Sequence, residues 1–485
     1  MKNQLICSPY LPGWEYIPDG EPHVFGDRIY IFGSHDQFGG KRFCMKDYTV
    51  WSAPLSDLSD WSTPGVSYRK DQDPYNTDGK YELWAPDVAQ GPDGRFYLYY
   101  CLANQPRLGV AVSEKPDGPY EFLAHVHDAS GAALGSRDND MWPFDPGILV
   151  DTDGRIHLYA GQSPMFPAQA KKATKSHQYT WHMELEQDMV TLKTEPTPLL
   201  PNILNSAGTG FEHHEFFEAS SIRHFGDHYY FIYSSVQSHE LCWAISDRPD
   251  GGFKFGGTLV SNGDIGLHGD AVVSFNSGVS LTIRNYVGNN HGSVERINGR
   301  YYIFYHRQTN RHMYSRQACV APIEMRPDGS FVQAEMTSSG LADALPGKGT
   351  FEARIACELY SKKGALFGAH PLIQNKKHPA FTQDEPDGEG AVQYIENLRD
   401  GATAVFKYFD FEGGSQIRVK ARGKCRGQLL VRDAEHGPVL ASIQLAPAKA
   451  WTEFSADFFT PKGRSALYFT YEGKGYADFL EFTLA

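Results

Sequence analysis

The sequence predicts an all-β chain: a five-bladed β-propeller followed by a β-sandwich of jelly-roll type. Three observations carry that prediction. Short alternating apolar runs closed by Gly, Asp, Asn and Pro dominate, and helical periodicity is scarce. One hairpin unit recurs five times, at spacings of 58 to 73 residues. After about residue 340 the repeat stops, and strands follow one another at the closer spacing of a sandwich.

Each unit runs from a polar anchor through a short apolar strand and a tight turn into an aromatic-rich strand. The first opens at Asp19 and crosses Gly26-Asp27 into Arg28–Phe32 (RIYIF). The second opens at Asp87 and crosses Asp93-Gly94 into residues 95–99 (RFYLY). The third opens at Asp145, with Asp153-Gly154 and residues 155–159 (RIHLY). Glu218 opens the fourth, with Gly226-Asp227 and residues 228–232 (HYYFI); His291 opens the fifth, with Asn298-Gly299 and residues 300–304 (RYYIF). These dipeptides suit hairpins because Gly, Asn and Asp tolerate left-handed backbone. A third strand recurs at residues 110–120 (VAVSEKPDGPY) and 244–253 (AISDRPDGGF), with a variant at 51–61. Such a unit cannot bury its apolar face alone. Five arranged around an axis can, with the first strand of each lining the channel and the anchors ringing one mouth. The inserts at 38–81 and 162–212 supply loops for the walls of a pocket there.

Residues 1–335 are therefore expected to form the propeller, and 336–485 a linker and the sandwich. The text from 340 to 390 is irregular, punctuated by LPGKG and TQDEPDGEG. Strand patterns then follow, among them 404–411 (AVFKYFDF), 427–433 (GQLLVRD) and 465–473 (SALYFTYEG). Residues 351–360 (FEARIACELY) read as the first strand of this region.

Composition bounds the partners. The 485 residues are 41% hydrophobic, enough for a large core. Lys plus Arg total 45 against 58 Asp plus Glu, a net charge of −13 with no basic run, which excludes nucleic acid and anionic membrane. No apolar run has the length of a transmembrane helix, and residues 1–20 lack the apolar stretch of a secretory signal. Seven scattered cysteines, with no CxxC, argue against a disulfide framework and for a cytoplasmic location. With no HExxH and no paired Cys/His spacing, a zinc site is not expected. GxSxG, GxxxxGK[ST] and a strand-linked GxGxxG are also missing.

Anchors meeting at one mouth bring several carboxylates together. Two carboxyls, one protonated and one ionised, are the equipment for glycoside hydrolysis. A single Asp beside Gly or Pro is ordinarily a turn residue, which is how Asp27, Asp93, Asp153 and Asp227 read. Recurrence at one position of the repeat singles out Asp19, Asp145 and Glu218.

Residues 5–330 resemble glycoside hydrolase family 43, whose members are mostly β-xylosidases, α-L-arabinofuranosidases and arabinanases. The resemblance rests on Asp19, Asp145-Pro146 and Glu218 opening their units, and on LWAPDV at 83–88, GSHD at 33–36 and YHR at 305–307. It implies an inverting hydrolase acting on xylosides or arabinosides, and the expected cytoplasmic location and long loops point to exo-acting release of terminal xylose or arabinose from short oligosaccharides. Asp19 would be the general base and Glu218 the general acid. Asp145 would orient the acid and raise its pKa by like charge. Two departures stand out. The base is followed by Gly20-Glu21-Pro22, so a shifted frame would put Glu21 in its place; and Ala219-Ser220 follow the acid where relatives often have Gly-Pro.

The same resemblance has His291 reaching a water or a structural calcium ion, with no cofactor required for the chemistry. Phe32, Trp84 and Trp142 are candidates for stacking on a sugar. Arg307 is a candidate donor to sugar hydroxyls or an ion-pair partner for one of the three carboxylates. His213 and His214 read as loop residues or rim donors. Residues 350–485 resemble a family 6 carbohydrate-binding module in strand pattern and in the closing ADFLEFTL at 477–484, with Trp451 expected in its core. A non-catalytic sugar-binding propeller and an endo-acting arabinanase or xylanase remain as alternatives, and the oligomeric state is open.

Overall fold

The computed structural model describes residues 5–137, 140–172, 179–267, 284–365 and 374–485. Nearly all regular structure there is β. Five sheets of three or four strands come first, each built in chain order: Glu21–Phe25, Arg28–Phe32 and Trp51–Pro54 make the first, and Leu83–Gln90 opens the second; Tyr48–Thr49 and Val66–Tyr68 pair apart from them in a two-stranded sheet. The third opens with Gly147–Val150, the fourth with Phe216–Phe225 and the fifth with Val294–Ile297. Neighbours within each sheet are antiparallel, as two-residue turns require. Gly26, Gly94, Gly154, Gly226 and Gly299 sit at the hairpin turns with φ between 63° and 85°, a conformation open to glycine at little cost.

The opening strands lie against one another. Glu21–Phe25 neighbours both Leu83–Gln90 and Val294–Ile297, and Gly147–Val150 neighbours Leu83–Gln90 and Phe216–Phe225. A parallel bridge joins Gly20 to Gly292, and the Arg223 guanidinium donates to the Val294 carbonyl at 3.0 Å. Apolar clusters fill the spaces between adjacent sheets. One joins Tyr99, Val110, Ile148 and Leu158, and another joins Ile232, Trp243, Ile303 and Phe331.

Two six-stranded sheets follow. One is built around Thr403–Phe411 and Gly463–Lys474, the other around Gln416–Gly423 and Ala477–Leu484. They share one core, in which Phe406 and Phe469 of the first meet Phe482 of the second at ring-centroid distances of 4.8 and 4.9 Å. Alternation sets the register: Ile417, Val419 and Ala421 are buried while Gln416 is exposed.

Residues 351–360 do not form a single strand. Gly349–Glu352 pairs with Ala477–Leu484, a 3-10 turn covers Ala353–Ile355, and Glu358–Tyr360 pairs with Thr403–Phe411 of the other sheet. Ile355 and Ala356 are both buried. Successive strand residues point to opposite faces, so the chain turns here to cross between sheets. The irregular text before residue 390 also holds a strand, Ala380–Gln383, while residues 366–373 of it lie outside the described residues.

Candidate active site

Four of the five anchors line one cavity of about 560 Å³: Asp19, Asp145, Glu218 and His291. The fifth, Asp87, does not. It is fully buried, accepting from the Val88 and Ile148 backbone N–H groups at 2.8 and 2.9 Å and pairing with His23 at 2.7 Å. Asp87 therefore ties the second and third sheets together.

Backbone geometry aims the acids. Asp19 and Asp145 have φ of 58° and 44°, in the left-handed region that costs a non-glycine residue energy. Glu218 lies where pairing with His228–Ser235 slips twice, between Phe216 and Glu218 and between Glu218 and Ser221. Such irregularities re-aim a side chain out of the alternating pattern.

Asp19 is held ionised. Arg316 donates to its Oδ1 at 2.8 Å and also grips Asp36 through Nε at 2.9 Å and Nη2 at 3.0 Å. Behind Asp19, the His306 Nδ1 accepts the Asp19 backbone N–H at 3.3 Å, and its Nε2–H donates to the Asn289 carbonyl at 2.6 Å. Burial pushes the His306 pKa down to about 3, so the ring is neutral. Burial alone would raise the Asp19 carboxyl, but the Arg316 charge, with that of His291, outweighs it and holds the pKa below the usual value.

Glu218 is tuned the other way. Burial pushes its carboxyl up to about 7, opposed by the Gln162 amide, which donates to Oε2 at 3.1 Å, and by His291; the Asp19 charge adds to the rise. Asp145 accepts the Ala219 backbone N–H at 3.1 Å, which fixes the peptide next to the acid. Burial also pushes Asp145 well above the carboxylate range, with His291 pulling it down and Glu218 and Asp19 pushing it further up. The mechanism of the acid's shift thus differs from the sequence expectation: burial is the first cause, and Asp145 is itself raised. Burial lowers the His291 pKa, but Glu21, Asp145 and Asp19 outweigh it and lift the imidazole to about 9.

Glu21, the alternative base, does not line the cavity. It is fully buried, and Arg223 and Ser221 donate to its Oε2 at 2.8 and 3.0 Å. Its other oxygen lies 3.6 Å from His291 Nε2, and neither atom has a hydrogen-bond partner among the described residues. With His23 and Asp87, Glu21 forms a compact donor group. An orphaned, buried carboxylate oxygen fits a hard cation or an ordered water.

The other candidates divide. Trp84 lines the cavity, edge-on to Phe144 at 5.5 Å, and its indole N–H is buried without a described partner. Phe32 is 1% exposed and packs among Tyr30, Phe25 and His23, outside the cavity lining. Trp142 is half-buried against the cluster between the second and third sheets and does not line the cavity either. Arg307 turns away: it donates to Gln317 at 2.9 Å and to the Arg354 and Ala356 carbonyls at 2.8 and 3.0 Å, and lies 3.6 Å from the Phe381 ring centroid. It does not line the cavity, because Gln317 of the neighbouring strand and the Arg354 and Ala356 carbonyls of the following segment hold its guanidinium. His213 and His214 are absent from the cavity lining, and Trp451 is half-buried with the Arg422 guanidinium 4.2 Å from its ring.

The sequence reading missed Arg316, His306, Asp36, Gln162 and the wall residue Phe43. Asp36 and His306 do lie within the GSHD and YHR motifs, but nothing in the repeat marks Arg316. The inserts do reach the cavity, through Phe43 and Cys44 and through Gln162 and Phe166; residues 173–178 lie outside the described residues.

Residues 17–331 match the model of glycosyl hydrolases family 43. A xylosidase/arabinosidase of Thermoclostridium stercorarium is 49% identical over 479 residues, 98% of each chain. Among solved structures, a family 43 arabinoxylan arabinofuranohydrolase from Bacillus subtilis, in complex with cellotetraose, superposes with a TM-score of 0.51 at 18% identity, covering 99% of both chains. A family 43 β-xylosidase/α-arabinofuranosidase from a compost metagenome, solved with xylotriose in a calcium-free form, gives 0.51 at 23% identity, over 68% of this chain and 97% of the other.

Proposed function

The chain belongs to glycosyl hydrolases family 43, and we propose that the cavity between Asp19 and Glu218 is its catalytic site. The protein is a glycosidase of the exo-acting xylosidase/arabinofuranosidase kind. One observation carries the site: the environments push two carboxyls of one cavity apart, Asp19 below the usual range and Glu218 to about 7. In this reading Asp19 accepts a proton from a water, whose oxygen attacks the anomeric carbon. Glu218 gives its proton to the departing glycosidic oxygen, leaving sugar and alcohol as products with inverted configuration. Asp145 fixes the backbone at Glu218, and Trp84 offers an aromatic face to the sugar.

The five small sheets fit a five-bladed propeller spanning residues 1–335, and the two large sheets a sandwich within 336–485. Kinship of the latter to family 6 modules rests on strand pattern and the closing ADFLEFTL at 477–484. Calcium, where bound, would be held at the axis by Glu21 with His291, His23 and Asp87, partly through water; it would supply charge and stiffness beside the acids. All seven cysteines are free and buried, which supports action in a reducing compartment on short oligosaccharides. Hydrolysis of chromogenic xylosides and arabinofuranosides by wild type, Asp19→Asn and Glu218→Gln tests the reading. Loss of activity by about 10²–10⁴ in each folded variant is expected, and near-wild-type turnover of an unactivated substrate by either would overturn the assignment.

A further inference from the structure

Outside the catalytic cavity, the fold gathers three metal-ligating groups that are far from any metal motif in the sequence. His214 Nδ1, a Glu240 carboxylate oxygen and Cys242 Sγ lie within 4.8 Å of one another. His214 precedes the strand Phe216–Phe225, while Glu240 and Cys242 lie on Glu240–Ser246, two residues apart and therefore on one face of that strand. The Nδ1–Oε1 distance is 2.7 Å and the Sγ–Nδ1 distance 3.9 Å. With metal–ligand bonds of about 2.0–2.3 Å, tetrahedral coordination places such atoms roughly 3.3–3.6 Å apart. The His214–Glu240 and His214–Cys242 separations therefore need to change by only about half an ångström.

The surroundings resemble those of a coordination site. Ser235 and Thr258 hydroxyls donate to the two Glu240 oxygens at 2.6 and 2.9 Å, orienting the carboxylate as outer-shell partners do. The His214 ring lies stacked on Phe255 at 5.0 Å, and the Tyr233 hydroxyl donates to the His214 carbonyl at 2.7 Å, so the imidazole is held from both ends. Cys242 and Glu240 are buried, but the His214 side chain is 32% exposed, which leaves an entry path. We propose that His214, Glu240 and Cys242 bind one divalent cation of the zinc class, with the fourth position taken by water. Sulfur and imidazole donors select zinc or cobalt over calcium or magnesium. None of the three residues lines the cavity, so the site is separate from the chemistry, yet it grips the segment that leads four residues later to Glu218.

Cobalt titration of the chelator-treated full-length enzyme, under anaerobic conditions, tests this. The expected result is a near-ultraviolet thiolate-to-cobalt band saturating at one cation per chain, displaced by zinc, with zinc raising the thermal midpoint. Cys242→Ser should lose the band, His214→Asn should weaken binding by more than about tenfold, and Thr258→Val by about tenfold. Circular dichroism establishes folding of each variant. Absence of the band in wild type overturns the proposal whatever the variants do. A band unchanged in Cys242→Ser, or in His214→Asn should the first variant fail to fold, places the cation elsewhere and overturns it equally.

Discussion

The Arg316 guanidinium binds Asp19 at 2.8 Å through one nitrogen and spends its other two on Asp36. Asp36 has no place in the cavity lining, so its part is to hold Arg316 against Asp19. Removing the guanidinium takes away the first of the influences that keep Asp19 ionised. Arg316→Met, paired with Asp36→Asn so that no buried carboxylate is left alone, should move the acid limb of the kcat/KM profile upward by about 1–3 pH units. A pH series on an aryl glycoside reads this, and an unmoved limb would remove Asp19 from the role of base.

Glu218 sets the other limb. A general acid works only while protonated, so activity should fall as pH rises through about 7. The Gln162 amide stabilises the ionised form. Gln162→Leu should therefore shift the alkaline limb to higher pH, while Glu218→Gln should abolish it and spare substrates with very good leaving groups. A downward shift for Gln162→Leu would contradict the assignment.

Much of this was legible in the chain. Hairpin turns at Gly26-Asp27 or Asn298-Gly299 are local signals, and four of the five recurring anchors do meet in one cavity. Arg316 was not legible. It sits on the third strand of the fifth unit, and its importance comes from a contact 297 residues away in sequence. Arg307 misled for the converse reason: it follows an apolar strand next to His306, which does reach Asp19, but its own side chain points to the following domain. The metal-ligating trio was invisible because its members meet only when strand pairing sets Glu240 and Cys242 beside the loop holding His214.

The following domain should matter to the pocket. Asp387 accepts the Phe38 N–H at 2.9 Å and pairs with Lys46 at 2.8 Å, and Glu396 pairs with Arg311. These contacts brace two stretches of cavity wall, which meet where Phe43 packs edge-on to Tyr314 at 4.8 Å. Partly exposed ion pairs are worth about 1 kcal/mol or less. The Asp387→Asn, Glu396→Gln double variant should raise KM by roughly twofold to tenfold and leave both pH limbs in place. Shifted limbs would mean that the domain acts on the acids themselves.

Acid should destabilise the third sheet through its histidine pair. His157 Nδ1 and His182 Nε2 lie 2.9 Å apart and are buried, and burial pushes His182 down to about 4. A ring held neutral in the fold and free to charge when unfolded stabilises above pH 6.5, and that contribution fades as pH falls towards 4. The loss is about 3 kcal/mol at most. Urea unfolding of wild type and His182→Asn should converge in stability as pH drops from 7 to about 4. A constant gap would show that the pair does not titrate on unfolding.

Stereochemistry tests the two acids together. If Asp19 activates water, the nucleophile enters opposite the leaving group and the first product has the inverted anomeric configuration. A retaining enzyme would need a carboxylate close enough to bond the sugar, with its partner only about 5–5.5 Å away, whereas an inverting pair stands about 6.5–9.5 Å apart with room for the water. One Asp19 oxygen is occupied by Arg316, which suits a base better than a nucleophile that must form and break a bond to carbon. Proton NMR of the first turnovers on a β-xyloside should therefore show the α-anomer appearing before mutarotation. Initial β-product would assign Asp19 or another cavity carboxylate as a nucleophile and would require the roles of water and base to be rebuilt.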